Sequence, residues 1–178
     1  MNWVRTGVGD PPYWSREVAF EDVSHTGCGE VHRYWDVLRG GRLVPAWEEL
    51  DLLSLPADII PHVRVVDVID GGADFHYRYW GTGLVDVCNG ERSGQSLFEK
   101  TNPRREVAIS EYRRVVDTRA PYYYAYNANW RDHQADLHAP AARFPLSSDG
   151  ESVDKVLSYV DFRQDRASWK RFFETTPL

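Results

Sequence analysis

The stretch Val63-Arg64-Val65-Val66-Asp67-Val68-Ile69-Asp70-Gly71-Gly72-Ala73-Asp74-Phe75-His76-Tyr77-Arg78-Tyr79-Trp80 decides how the rest of the chain is read. Its first seven residues are dominated by β-branched side chains, the pattern of a strand. Asp70, Gly71 and Gly72 supply turn chemistry, because Gly reaches positive φ without steric cost and Asp bonds to nearby backbone. The segment from Asp74 to Trp80 then alternates. Phe75, Tyr77 and Tyr79 fall on one face, and His76, Arg78 and Trp80 on the other. Two such strands joined by so short a turn pair as an antiparallel hairpin.

Upstream, Val31, Tyr34, Trp35 and Leu38 recur at helical spacing and predict an amphipathic helix over residues 29–38, stopped by Gly40 and Gly41. The connector 42–62 carries Pro45, Pro56 and Pro61, and its Leu50, Leu52, Leu53 and Leu55 predict a short helical turn packed on the core. Residues 1–27 show no sustained period and read as an arm with Trp3, Tyr13 and Trp14. Downstream, residues 82–88 allow one or two helical turns before Asn89 and Gly90. Asn102 and Pro103 then open a longer helix that ends near residue 119, with Ala108, Ile109, Tyr112, Val115 and Val116 as its buried stripe. Three strands follow. Residues 122–130 place Tyr122, Tyr124 and Tyr126 on one face. Residues 134–146 form a weaker strand, broken or bulged at Pro140. Residues 153–162 form the last. Trp169, Phe172 and Phe173 then suit a short amphipathic helix. The order is helix, two strands, short helices, longer helix, three strands. That order predicts an α+β domain with an antiparallel sheet over residues 28–162, an arm over 1–27 and a tail over 163–178.

Composition narrows the function classes. A chain of 178 residues with 42% hydrophobic residues can bury a real core. Aromatics reach 13%, including 7 Trp and 10 Tyr, a surplus suited to pockets and interfaces as well as cores. The net charge of -6 argues against a nucleic-acid partner, which needs clustered Lys and Arg. Cys28 and Cys88 form no disulfide framework and no CxxC, so reduced thiols are expected. Met1 to Gly9 lacks the apolar core of a secretory signal, and no apolar stretch approaches the ~20 residues that span a bilayer. A cytoplasmic protein without membrane insertion is the expectation.

Chemistry-bearing motifs are sparse. Gly81-Thr82-Gly83 could be half of a dinucleotide fingerprint, but position 86 is Asp where the third glycine belongs, so a helix start capped by Thr82 is favoured. His133, Asp136 and His138 could suggest a metal. Asp136 and His138 would share a strand face, His133 would oppose them, and no third strong ligand is near. Asp67, Asp70, Asp74 and Asp86 flank the hairpin, where Asp commonly caps backbone. The sequence has no Gly-x-Ser-x-Gly, Walker loop or His-Glu-x-x-His. No catalytic residue and no metal is assigned, and a non-enzymatic role is expected.

The stretches His32-Arg33-Tyr34-Trp35-Asp36-Val37-Leu38-Arg39-Gly40-Gly41-Arg42-Leu43-Val44-Pro45, Ile60-Pro61-His62, 74–82, Phe144-Pro145-Leu146-Ser147-Ser148-Asp149-Gly150 and 153–162, with the element order, resemble a family of small bacterial PAS-domain proteins. The Trp-Asp-x-Leu-Arg-Gly-Gly-Arg-x-x-Pro stretch is the specific part of that likeness. The resemblance implies a five-stranded antiparallel sheet with short helices over one face, a pocket they could enclose, and an N-terminal helix across the other face. It implies a signalling role, commonly through dimers, and names no cofactor. Residues 103–119 contain no His, against a haem mode carried on that helix. Cys88-Asn89-Gly90 lacks the Asn-Cys-Arg-Phe-Leu-Gln-like motif, against covalent flavin chemistry. The expected function is a PAS-type sensory or regulatory module that binds a small ligand or a protein partner. A ligand-free interaction domain and a small-molecule enzyme are the alternatives. The pocket candidates are Tyr77, Tyr79, Ile109, Tyr112, Tyr124, Tyr126 and Tyr159, which fill the core in the plainer reading. For a homodimer or partner surface they are Tyr34, Trp35, Leu38, Trp169 and Phe172.

Overall fold

The computed structural model describes residues 15–88, 90–99, 105–127 and 138–163. An antiparallel sheet of six strands runs through the centre: β1 (Ser15–Glu17), β2 (Val63–Ile69), β3 (Asp74–Trp80), β4 (Tyr122–Asn127), β5 (His138–Leu146) and β6 (Lys155–Val160). Their order across the sheet is β1-β4-β5-β6-β2-β3. The sequence predicts five strands. The sixth comes from the arm, where Ser15, Arg16 and Glu17 pair with Tyr126, Ala125 and Tyr124 of β4. The tail candidates Trp169 and Phe172 lie outside the described residues, as do Asn102 and Pro103.

Both sheet faces are covered. On one side α1 (Phe20–Val23) and α2 (Gly27–Arg39) close a core of Val31, Trp35, Val65, Phe144, Leu157 and their neighbours. On the other, α4 (Arg105–Thr118) lies over Val66, Phe75, Val156 and Val160, contributing Val107, Ile109, Tyr112 and Val115. Alternation leaves the inward face undecided because both faces carry aromatics, and both in fact point into a core. Among the described residues no helix is long and apolar enough to cross a membrane.

The start of α2 fixes how the first helices meet the sheet. Thr26 caps it, its hydroxyl accepting from the Cys28 N–H at 3.1 Å. The Gly27 N–H donates to Asp161 at 2.7 Å, placing a buried carboxylate at the positive end of the helix. Asp161 also accepts from the Arg163 N–H at 2.9 Å and Nε at 3.1 Å, and Arg163 reaches on to Glu30 and Asp58. Gly29 sits where α1 turns back, and a Cβ there would stand 1.9 Å from the Ser24 carbonyl oxygen. At the far end Gly40, at φ 55°, stops the helix, and its N–H donates to the Asp36 carbonyl.

The hairpin forms as its spacing predicts, with Asp70, Gly71 and Gly72 all at positive φ. Its register has a bulge: Val65 opposes Tyr79 while Val66 opposes Tyr77, so Arg78 is an extra residue in β3. Arg78 therefore shares a face with Tyr79, donating to Asp67 at 2.6 Å beside Trp47. Tyr79 joins the α2-side core while Phe75 and Tyr77 face α4, which corrects the single face predicted for those three rings. Beyond β3 the loop at residues 92–97 binds its outer side. Tyr77 N–H donates to the Gln95 carbonyl, Gly94 N–H to the Tyr77 carbonyl, and Leu97 N–H to the Phe75 carbonyl.

β5 runs through Pro140 without a break, against the predicted interruption. Pro140 has no N–H to give, but its carbonyl accepts from the Asp161 N–H, just beyond the Ala141–Val160 pair where the β5–β6 ladder starts. The backbone N and O of one strand residue point to the same side, so the missing donor falls past the end of that ladder. After β3, α3 (Thr82–Cys88) begins at Thr82, and a Cβ on Gly81 or Gly83 would collide with Pro61 or His62. Close approach to the turn at Ile60–His62 accounts for both glycines.

Gly29→Ala should destabilise the fold by about 1–3 kcal/mol or more, because the obstacle is backbone; urea unfolding measures it. Burial pushes the Asp161 carboxyl up, but the bonds from Arg163 and Gly27 outweigh it and hold the carboxyl below the usual carboxylate range. Its contribution is complete above the unfolded value of ~3.9 and is lost as pH falls through the lower folded value. Between about pH 6 and about pH 2.5, the urea midpoint of the parent should fall more steeply than that of Asp161→Asn.

Candidate functional site

Arg143 falls at an inward position of β5, after Ala139 and Ala141 on the same face. The register then builds a row across five strands. Tyr122 of β4 opposes Arg143, Arg143 opposes Ser158 of β6, Ser158 opposes Arg64 of β2, and Arg64 opposes Trp80 of β3. Members of such a row point to one face, here the α4 face. An apolar sheet interior is thus crossed by a polar line containing two guanidinium groups.

Helix α4 lies over this line and answers it with Glu111 and Tyr112. Arg143 Nη2 donates to Glu111 at 2.5 Å, with the two residues only 1% and 4% exposed. Arg143 Nη1 reaches Ser158 Oγ at 3.3 Å, and the second Glu111 oxygen accepts from Ser15 Oγ at 2.5 Å. The Arg143 guanidinium carbon stands 3.7 Å from the Tyr112 ring centroid and 5.0 Å from that of Tyr124. Arg64 donates to the Tyr112 hydroxyl at 3.1 Å and to the Tyr124 hydroxyl at 3.3 Å. On its other side Arg64 lies 5.8 Å from the Trp80 ring centroid, and Arg92 lies 5.5 Å from the same centroid. Tyr77 meets Trp80 edge-on at 4.8 Å.

The electrostatics are lopsided. Arg143 has Glu111, but among the described residues neither Arg64 nor Arg92 has a carboxylate at ion-pair distance. Burial raises the tyrosine pKa values nearby, pushing Tyr77 up to about 12 and Tyr124 well above the ordinary tyrosine value. Tyr112 goes the other way. Burial would raise it, yet the guanidinium groups of Arg143 and then Arg64 outweigh that and lower it. Two buried donor atoms here, Arg143 Nε and Trp80 Nε1, have no partner among the described residues.

Of the pocket candidates, Tyr77, Ile109, Tyr112, Tyr124 and Tyr126 share this side. Tyr79 and Tyr159 pack on the α2 side and cannot line the same enclosure, Tyr79 because of the bulge and Tyr159 because alternation in β6 puts Ser158 on the α4 face. Among the surface candidates, Trp35 is buried and donates to the Pro145 carbonyl at 2.7 Å, so it is core rather than seam. The Tyr34 hydroxyl is engaged by the backbone of Asp51, and Leu38 is partly exposed. The residues that organise the site, Arg143, Glu111 and Arg64, are absent from the sequence-derived candidates. Glu111 did leave a signal: it interrupts the α4 stripe between Ala108 and Val115.

The hairpin aspartates act locally. Asp67 holds Arg78, while Asp74 pairs with His76 at 2.9 Å and accepts from Ser96 at 2.8 Å. Ser96 therefore meets the carboxylate rather than the imidazole, which is not a nucleophile–base arrangement. No group of three or more His, Cys, Asp or Glu that could hold a metal occurs among the described residues, and His133 and Asp136 lie outside them. Comparison with protein-family models, curated proteins and solved structures finds no match to the chain.

Glu111→Ala leaves Arg143 charged and unpaired, and should cost about 3–5 kcal/mol in urea unfolding. Replacing both partners, Glu111→Leu with Arg143→Met, should recover most of that loss, because no buried charge is stranded.

Proposed function

We propose that this chain is a PAS-type sensory or regulatory module that takes a small ligand between α4 and the sheet. The supporting observation is the polar row Tyr122–Arg143–Ser158–Arg64–Trp80, roofed by one helix and walled by aromatic rings. Ligand sites combine an apolar lining with a few oriented polar groups, as this region does. The five strands from β2 to β6, with the N-terminal helix across the opposite face, fit the PAS reading. The strand β1 is an addition at one edge.

The device for signalling is the tie between α4 and the sheet. Glu111 fixes the helix through Arg143, Arg114 binds Glu17 of β1 at 2.5 Å, and Arg113 donates to the Gly72 carbonyl at 3.1 Å. A ligand that meets Arg64 or Arg143 differently in two positions of α4 shifts the population between them. The outer face of α4 and the β2–β3 turn then present that shift to a protein partner.

Native mass spectrometry of the purified chain, followed by denaturing spectra, tests this reading. A small molecule present natively and lost on denaturation is the expected result. A bare chain that stays bare across a metabolite extract favours the ligand-free interaction domain instead, and the same spectra report a homodimer.

A further inference from the structure

Resting on the ligand-binding reading above, we infer that the ligand is a small organic monocarboxylate, bound with its carboxylate on Arg64 and its apolar body against Tyr77 and Trp80.

Charge is the first reason. Between α4 and the sheet stand two guanidinium groups, Arg64 and Arg143, and one carboxylate, Glu111, which belongs to Arg143. Among the described residues one positive charge is left on Arg64, whose partners are two neutral hydroxyls and an indole face. Enclosing a charge without a counter-ion is costly, so the fold carries a charge that an anion would neutralise. A surplus of one suits a monoanion better than a doubly charged phosphate.

Hydrogen-bond capacity is the second. Arg64 uses Nε and Nη2 on the tyrosines, which leaves Nη1 unused among the described residues. Both tyrosine oxygens accept from Arg64, so their own protons are available to donate. Arg143 Nε and Trp80 Nε1, on residues 1% and 5% exposed, are also unpartnered donors. The region is rich in donors and poor in acceptors, the complement of a carboxylate.

Access is the third. Arg64 is half-buried where Arg143 is sealed, which makes it the nearer of the two to solvent. Arg92, 5.5 Å from the centroid of the same Trp80 ring, is a second cation nearby, and clustered cations raise the local concentration of anions.

The test uses the full chain at low ionic strength. Co-purified species are identified by native mass spectrometry, and thermal melts are run with benzoate, isovalerate, benzamide and inorganic phosphate as probes. The carboxylates should raise the midpoint saturably, and benzamide and phosphate should not. Arg64→Gln should weaken carboxylate binding by about tenfold or more, and Arg64→Lys, which keeps the charge but not the fork, by less. Without probe, and after unfolding and refolding to strip any co-purified species, Arg64→Gln should melt within a few degrees of the parent, since the uncompensated charge it removes offsets the bonds lost to two neutral hydroxyls. A midpoint several degrees lower would make Arg64 a structural residue and overturn the assignment. A neutral co-purified molecule, or benzamide acting as well as benzoate, overturns the carboxylate class and leaves the ligand-binding reading standing. A response to phosphate alone also overturns the class. A bare chain that answers no probe overturns both.

Discussion

Stranding a guanidinium group in a protein interior is costly, and the placement of Arg143 makes that constraint central here. Its position in β5 is set by strand alternation, which turns it toward α4 whether or not the interior welcomes a charge. Everything above the sheet then answers it. Glu111 neutralises it, Ser158 and the Tyr112 ring occupy its remaining sides, and Ser15 steadies the second Glu111 oxygen. Because Ser15 lies in β1, the same network gives the arm a reason to join the sheet as its sixth strand. Replacing such a network by apolar side chains often costs little stability. Its retention is easier to understand as specificity: α4 has one axial and rotational setting that satisfies Glu111.

The two faces of the sheet do different work. On the α2 side the core is apolar, closed by Trp35, Phe144 and Leu157, and tied at the helix start by Asp161 and Arg163. On the α4 side polar groups run through the middle. An apolar face thus backs one threaded by polar groups.

Much of the fold was legible in the sequence, and the exceptions have physical causes. The hairpin was readable because β-branched residues, the turn at Asp70 to Gly72 and the aromatic alternation all agree. Helix α2 was readable from its stripe and its Gly40 stop. The face of Tyr79 was not, because a bulge changes parity after Tyr77 and no local composition marks it. Pro140 misled because its effect depends on where the neighbouring ladder begins, a tertiary fact. The site was partly legible. The tyrosines of β4 and α4 were readable as inward residues, whereas Arg143 and Arg64 resembled ordinary strand arginines. Only pairing across two strand boundaries, β5–β6 and β6–β2, brings them into one row, and strand pairing is not written in any short stretch.

The same bulge, with the loop that follows, bears on how this chain behaves in a crowd. A sheet edge with free N–H and C=O groups is a template on which another chain can add a strand. Along β3 the 92–97 loop already occupies the backbone groups of Phe75 and Tyr77, and the extra residue at Arg78 breaks the even spacing a foreign strand would need. At the opposite edge, among the described residues, β1 offers only the short stretch Ser15–Glu17. Among the described residues, a sheet well stocked with aromatic β-formers thus has one edge occupied and one edge short, which works against growth by edge-to-edge pairing.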